Sequence, residues 1–235
     1  MKMAVLLPGM TRDHRKCFQN FREVFGRYSP DVYSSVWDVD GCAMRKNYQA
    51  AAGVECVTME RADIGGIFKD YRPKVLAMEG WNDWLESHVK TVEDYVAVHE
   101  HAGEQMMTNG VLGQYYQVRK ACRMIRGHYD LVVRWRFDIK AEQINFEDYV
   151  GTTSLHFCPS IHPDETAPAE IYFFGRPSMM RKACGLYDFA LSAEPFNPRD
   201  YSEIHDTYTP EVLMHKMLID CKIPFETNKM AKIIR

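Results

Sequence analysis

The stretch YDLVVRWRFDIK, residues 129–140, decides how the rest of the chain is read. Leu131, Val132 and Val133 form a short apolar run rich in β-branched residues and bounded by polar ones, which predicts a buried strand. Charge follows at once. Arg134, Arg136 and Asp138 fall at i, i+2 and i+4, and in extended chain every second side chain points to the same face. If the extension persists, two guanidiniums and one carboxylate share a surface at the strand's exit. Burying two arginines is costly unless something anionic answers them. A polyphosphate, or a divalent metal with its phosphate ligand, would do so, and so would an internal Arg–Asp ion pair at a sheet edge. On these residues alone both answers stand.

Working outward, residues 4–7 are a short apolar run ended by Pro8-Gly9, which predicts a central strand breaking into a tight loop. That loop carries Gly9, Thr11 and Arg12. After it, Cys17, Phe18, Phe21, Val24, Phe25 and Tyr28 recur at helical spacing. Strand, glycine loop and helix in that order aim backbone amides and the positive helix end at one spot, an arrangement suited to phosphate. A lone glycine is weak evidence, and Arg12 strengthens it. Residues 31–37, DVYSSVW, alternate as a second strand that ends in Trp37-Asp38. A β-helix-β order implies parallel neighbours joined by a right-handed crossover. Ligands of such sheets collect at the carboxyl ends of strands, which would bring Asp38 and the Gly9 to Arg12 loop to one rim. Asp38 reads equally well as a turn-forming aspartate.

Residues 54–59 are a third candidate strand, followed by a Gly65-Gly66 break and a short helix through Ile67, Phe68 and Tyr71 that Pro73 terminates. Residues 82–101 show only weak periodicity; His99 and His101 are a poor metal pair. The longest helix is expected over residues 105–126, with Val111, Tyr115, Val118, Cys122 and Ile125 as its core stripe and Gly127 as its stop. Gln114 and Tyr116 lie off that stripe. Residues 154–158 predict a strand, residues 159–169 a proline-rich surface loop, and Glu170 precedes an aromatic strand over 171–174. Met179, Ala183, Leu186, Tyr187 and Ala190 mark one further helix. Thr209-Pro210-Glu211 reads as N-cap, N1 proline and first-turn acid, and capping alone accounts for Glu211.

The 235 residues suffice for a full core, and 46% hydrophobic with 26% charged residues describes an ordinary soluble globular protein. A formal charge of -3 supplies no general basic footprint, so a nucleic-acid partner is not suggested. Seven cysteines, an odd number without CxxC pairs, predict reduced thiols in a cytoplasmic protein. The apolar run near the start is too short for a signal peptide or a membrane span. Neither a Walker nor a Rossmann fingerprint is present.

Several of these pieces together resemble one family. VLLPGMTRDHRKCFQNFREVF with DVYSSVWD looks like the amino-terminal half of small GT-A-type glycosyltransferases of bacterial polysaccharide clusters, large DNA viruses and phages, including the WavE-like lipopolysaccharide synthesis proteins. TNGVLGQYYQVRKACRMI before YDLVVRWRFDI is similar to their central helix and strand, AEIYFFGRPSMM to a later acid-aromatic-Gly strand, and TPEVLM to a Pro-Glu helix start. The resemblance covers most of the chain; residues 60–105 and 190–207 carry none of it.

What the resemblance implies is a single α/β domain with a GT-A-like fold, a mostly parallel central sheet flanked by helices, in which residues 1–140 bind nucleotide and 141–235 form the acceptor side. It implies a glycosyltransferase moving sugar from a nucleotide-diphosphate donor to a hydroxyl acceptor, with a glycan as the expected acceptor. Gly9, Thr11, Arg12, Trp37, Asp38, Gln114, Arg134 and Arg136 would contact the nucleotide, and Asp138 would hold Mn or Mg in the place of a D-x-D motif. Arg136 stands where the first D-x-D carboxylate normally would, so the arginines offer an alternative way to neutralise the leaving diphosphate. Glu170 is the first candidate for a catalytic base, with Glu211 second. The competing functions are a non-catalytic nucleotide- or glycan-binding protein on the same scaffold and a viral or phage transferase acting on a modified DNA base.

Overall fold

Seven strands make one sheet in the computed structural model, which describes residues 1–11, 13–40, 60–98, 105–158, 168–194, 196–202 and 209–227. In chain order the described strands are β1 (Met3–Gly9), β2 (Asp31–Trp37), β3 (Val39–Asp40), β4 (Glu60–Arg61), β5 (Val75–Glu79), β6 (Leu131–Arg134), β7 (Leu155–Cys158), β8 (Ala169–Gly175) and β9 (Phe225–Thr227). The described helices are α1 (His14–Phe25), α2 (Ile64–Tyr71), α3 (Trp81–Val98), α4 (Gln105–Arg123), α5 (Pro177–Ala183), α6 (Leu186–Ser192) and α7 (Pro210–Asp220). The large sheet has the order β5-β2-β1-β6-β8-β7-β9, while β3 and β4 pair as a separate antiparallel ribbon. β5, β2, β1 and β6 are parallel, β8 alone reverses, and β9 is again parallel to β7. The α/β class with a mostly parallel sheet flanked by helices is the one expected, and strands from both sides of residue 140 share the sheet.

Alternation builds the two layers. Ala4 and Leu6 of β1 and Val132 of β6 pack with α4 through Val111, Tyr115, Val118 and Cys122, and with α5, α6 and α7. Met3, Val5, Leu7, Leu131 and Val133 face the other way, onto Phe21, Val24 and Phe25 of α1 and Ile67 and Tyr71 of α2. This is the period-2 pattern of strands buried on both faces, which is why they read as continuous apolar runs. β1 continues through Pro8, whose missing N–H would point toward β6. The pairing with β6 stops at Leu6, so the ladder loses nothing there. Gly9 then turns the chain at φ +99°, a conformation glycine adopts without strain.

Several boundaries depart from the sequence reading. Gly65 and Gly66 do not break the chain; they lie inside α2, whose N-cap Asp63 accepts from the Gly66 N–H at 2.9 Å. The aspartate side chain and His14 Cε1, 2.9 Å from where a Cβ would stand, leave no room at Gly66 for anything larger. The single helix expected over 179–190 is two, α5 and α6, divided at Cys184-Gly185. β5, α3 and β9 were not anticipated. The strand expected over 54–59, the His99/His101 pair and most of the 159–169 loop fall outside the described residues. Four of the described cysteines, Cys17, Cys122, Cys158 and Cys184, are buried free thiols, as expected, and Cys221 is exposed. No helix among the described residues is long and apolar enough to cross a membrane.

Candidate functional site

The connectivity creates one special place in the sheet. From β1 the chain winds outward through β2 to β5, then returns to lay β6 on the opposite side of β1. Neighbouring parallel strands whose connections leave in opposite directions open a crevice at their carboxyl ends, and ligands of open α/β sheets bind there. A cleft of about 490 Å³, counted to its open mouth, sits at that point. It is lined by Pro8, Gly9 and Met10 at the end of β1, Trp37 at the end of β2, Trp81 at the start of α3, Gln114 of α4, and Arg134, Arg136, Phe137 and Asp138 at the exit of β6.

The i, i+2, i+4 spacing therefore brings Arg134, Arg136 and Asp138 to one wall, although β6 itself ends at Arg134. What keeps the alternation going is the opposite side chains. Trp135 and Ile139 are buried in the layer with α1, and Phe137 packs there edge-on to Tyr71 at 5.3 Å between ring centroids. The backbone N–H of Trp135 donates to the Leu6 carbonyl at 2.9 Å, continuing contact with β1 for one more residue.

Arg134 is 1% exposed, so its charge sits in the protein interior at the cleft wall. Its Nη1 donates to the carbonyl of Ile171 in β8, and its guanidinium lies over the Phe173 ring, 6.0 Å from the centroid. Arg136 forms a two-point fork with Asp138: Nε to Oδ1 at 2.8 Å and Nη2 to Oδ2 at 2.7 Å. The ion-pair answer to the sequence question is thus realised for Arg136 and Asp138. Both carboxylate oxygens of Asp138 accept from the guanidinium. No group of three His, Cys, Asp or Glu side chains suited to a metal ion occurs among the described residues. Mn and Mg bind through several oxygen ligands; among the described residues the cleft lining offers one carboxylate, Asp138, and it is bridged by Arg136.

Of the other anticipated residues, Gly9, Trp37 and Gln114 line the cleft. Thr11 is buried beside it and its carbonyl accepts from the His14 N–H at 3.1 Å at the start of α1. Among the described residues, the cleft takes its β1-side wall from residues 8–10. Asp38 sits behind the rim: its Oδ1 accepts from the Trp81 N–H at 2.8 Å, anchoring the start of α3, and it lines an adjacent open depression with Arg61 and Asp63. Glu211 is half-buried in the first turn of α7 and is not among the described residues lining the cleft, and the N-cap there is Thr209, which accepts from Val212. Arg12 lies outside the described residues, as does the side chain of Glu170. The backbone of Glu170 is in β8, next to Ile171, whose carbonyl holds Arg134.

The sequence reading missed Trp81. It stacks on Trp84 at 5.5 Å and meets Trp37 edge-on at 4.9 Å, and Trp37 in turn stacks on Tyr116 at 6.1 Å. Trp81, Trp84 and His88 stand at i, i+3 and i+7, a helical spacing that was there to be read. Tyr116, off the core stripe as expected, donates to Glu79 at 3.0 Å, and Lys120 bonds the same carboxylate; together they tie α4 to the end of β5. Burial and the Glu79 carboxylate push the Tyr116 phenol up to about 12, so it stays a hydrogen-bond donor at neutral pH.

No family model matches the chain, and no curated protein matches it. Among solved structures, the chain is similar to mouse xyloside xylosyltransferase 1 in its apo form, with a TM-score of 0.48 and 8% identity over 97% of this chain and 84% of that one.

Proposed function

We propose that the chain is a glycosyltransferase that binds a nucleotide-diphosphate sugar in the cleft between β1 and β6 and transfers the sugar to a hydroxyl acceptor, a glycan, working as one catalytic domain. The observation that carries this reading is the placement of two arginines, one of them buried, at the switch point of a parallel sheet. Charge of that sign in a partly dehydrated crevice suits a diphosphate. The resemblance of the strand and helix segments around the cleft to GT-A-type enzymes points the same way.

Glycosyl transfer builds positive charge on the sugar and negative charge on the departing nucleoside diphosphate. Fixed donors stabilise the latter most when they are in place before the bond breaks. Arg134, held by the Ile171 carbonyl, and Arg136, held by Asp138, meet that requirement. Gln114 on the facing helix supplies an amide for the nucleotide. For inverting transfer we assign the base that takes the acceptor proton to Glu170, on the strength of its backbone position beside the Arg134 anchor, in preference to Glu211.

The test is release of nucleoside diphosphate from a panel of UDP-, GDP-, ADP- and dTDP-sugars, with and without manganese and with water or an oligosaccharide as acceptor. One donor should be consumed, with Arg136→Ala slowing release at least about tenfold, the scale of one lost charge-assisted contact. Diphosphate binding with no release from any donor would instead identify a non-catalytic binding protein.

A further inference from the structure

We infer that Asp138 serves as the positioning partner of Arg136 and that the cleft holds the donor's diphosphate through Arg134 and Arg136 without a divalent cation. The inference deepens the proposed function and rests on its assignment of the diphosphate to this cleft.

The geometry of the fork carries it. Both oxygens of Asp138 are engaged, at 2.8 and 2.7 Å, by two nitrogens on one edge of the Arg136 guanidinium. This side-by-side arrangement fixes the plane of the guanidinium as well as its position, and a planar fork of fixed direction is what distinguishes arginine from lysine as a phosphate ligand. Arg136 and Asp138 are two residues apart on a segment whose intervening side chain, Phe137, is 2% exposed, with Trp135 at 1% and Ile139 at 4% beside it. The buried residues pin the backbone, so Asp138 cannot be brought to a cation by sliding the segment. Turning it to a cation means giving up both hydrogen bonds to the Arg136 guanidinium. Arg134 stands two residues earlier on the same wall, anchored to β8. Both guanidiniums are thus oriented on one wall by described contacts, Arg134 by the Ile171 carbonyl and Arg136 by Asp138. A cation supplies the leaving diphosphate with charge and orientation; here the arginines supply both.

The experiment is titration of the full chain with inorganic pyrophosphate and with UDP, GDP, CDP, ADP and dTDP, each in EDTA and in manganese. Wild type is compared with Arg136→Lys and Asp138→Asn, and melting of each variant without ligand verifies that it is folded. Pyrophosphate and one nucleotide should bind in EDTA with Kd within about threefold of the manganese value. Arg136→Lys, which keeps the charge and loses the fork, should weaken both about tenfold. Asp138→Asn, which keeps the shape and one acceptor oxygen, should leave binding resistant to EDTA. Binding that needs manganese and disappears in Asp138→Asn would overturn the inference while leaving the transferase reading intact. Metal-free binding of pyrophosphate without any nucleotide would uphold the arginine site and remove the nucleotide reading. Binding of neither, in either buffer, would overturn both.

Discussion

Gly113→Ala should destabilise the protein and disturb the cleft, although the same change in an ordinary helix does the opposite. Gly113 lies inside α4, where replacing glycine by alanine normally adds about 0.5–1 kcal/mol of stability. A Cβ at this position would stand 2.9 Å from Trp81 Cζ3, 3.3 Å from Cη2 of the same ring and 3.5 Å from Trp37 Cζ2. Carbon atoms settle at about 3.5–4.0 Å, so the Trp81 ring must retreat by about 0.6–1 Å. It has little room to do so, since it is 4% exposed and held between the edge of Trp37 and the face of Trp84. Overpacking of this kind costs about 1–3 kcal/mol. Set against the propensity gain, the net loss is about 1 kcal/mol, or about 2–4 °C in Tm for a chain of this size. Because Trp37 and Trp81 also wall the cleft, pyrophosphate and nucleotide affinity should fall with it. The assay is a double-mutant cycle with Trp81→Phe, whose smaller ring removes the offending atoms. Urea unfolding should give a favourable coupling of about 1 kcal/mol between the two changes. A Gly113→Ala variant that melts higher than wild type and binds ligand unchanged would refute the packing argument.

Two further outcomes are expected. Gly66→Ala should cost about 1–2 kcal/mol, because its Cβ would stand 2.8 Å from the Asp63 Cγ and displace the side chain that caps α2; Gly65→Ala, whose nearest neighbour is 4.0 Å away, should be neutral or stabilising, and equal urea midpoints for the two variants would contradict this. Burial against Tyr149 and Phe174 holds the His156 imidazole below its ordinary 6.5 despite the Glu226 carboxylate 3.8 Å away, so the fold excludes a proton that the unfolded chain takes up. Stability is then full above 6.5 and declines as the pH falls below it, and His156→Gln should flatten that decline in urea unfolding between about pH 7.5 and 5.5; an unchanged slope would remove His156 as its source.

The parts of the fold that were legible in the sequence are those where one physical signal dominates. β2 was read to its residue limits because DVYSSVW is rich in β-branched and aromatic residues and is bounded by turn formers. α4 was read because a five-residue apolar stripe faces the sheet. β5 was not, and the reason is its place: as an edge strand it has Val75 and Met78 exposed and no fully buried face, so VLAME carries neither alternation nor β-branched enrichment. Its pairing with β2, from Tyr33↔Val75 to Trp37↔Glu79, is a tertiary fact that no local window contains. α3 differs, since the spacing of Trp81, Trp84 and His88 did carry a helical signal; what no local window contains is the packing of its tryptophans against Trp37 and Tyr116 from other elements.

The cleft wall at the exit of β6 was legible in the sequence. Arg134, Arg136 and Asp138 were placed on one wall by strand periodicity, yet the strand that justified the period ends at Arg134. The pattern survives because Trp135, Phe137 and Ile139 are themselves a period-2 apolar set and are drawn into the core on the opposite side. Burial enforces the extended geometry that hydrogen bonds no longer do. This also explains how the cleft can exist at all: β6 must stop pairing with β1 for the crevice to open, and the chain beyond it must still be held rigidly enough to aim two guanidiniums. A sequence that buried residues 135, 137 and 139 less firmly would keep the arginines and lose their direction. On that argument the aromatic side of RWRFDI matters to the proposed anion site as much as the charged side, and Phe137→Ala, which removes the ring packed edge-on against Tyr71 and leaves both guanidiniums in place, should weaken pyrophosphate binding.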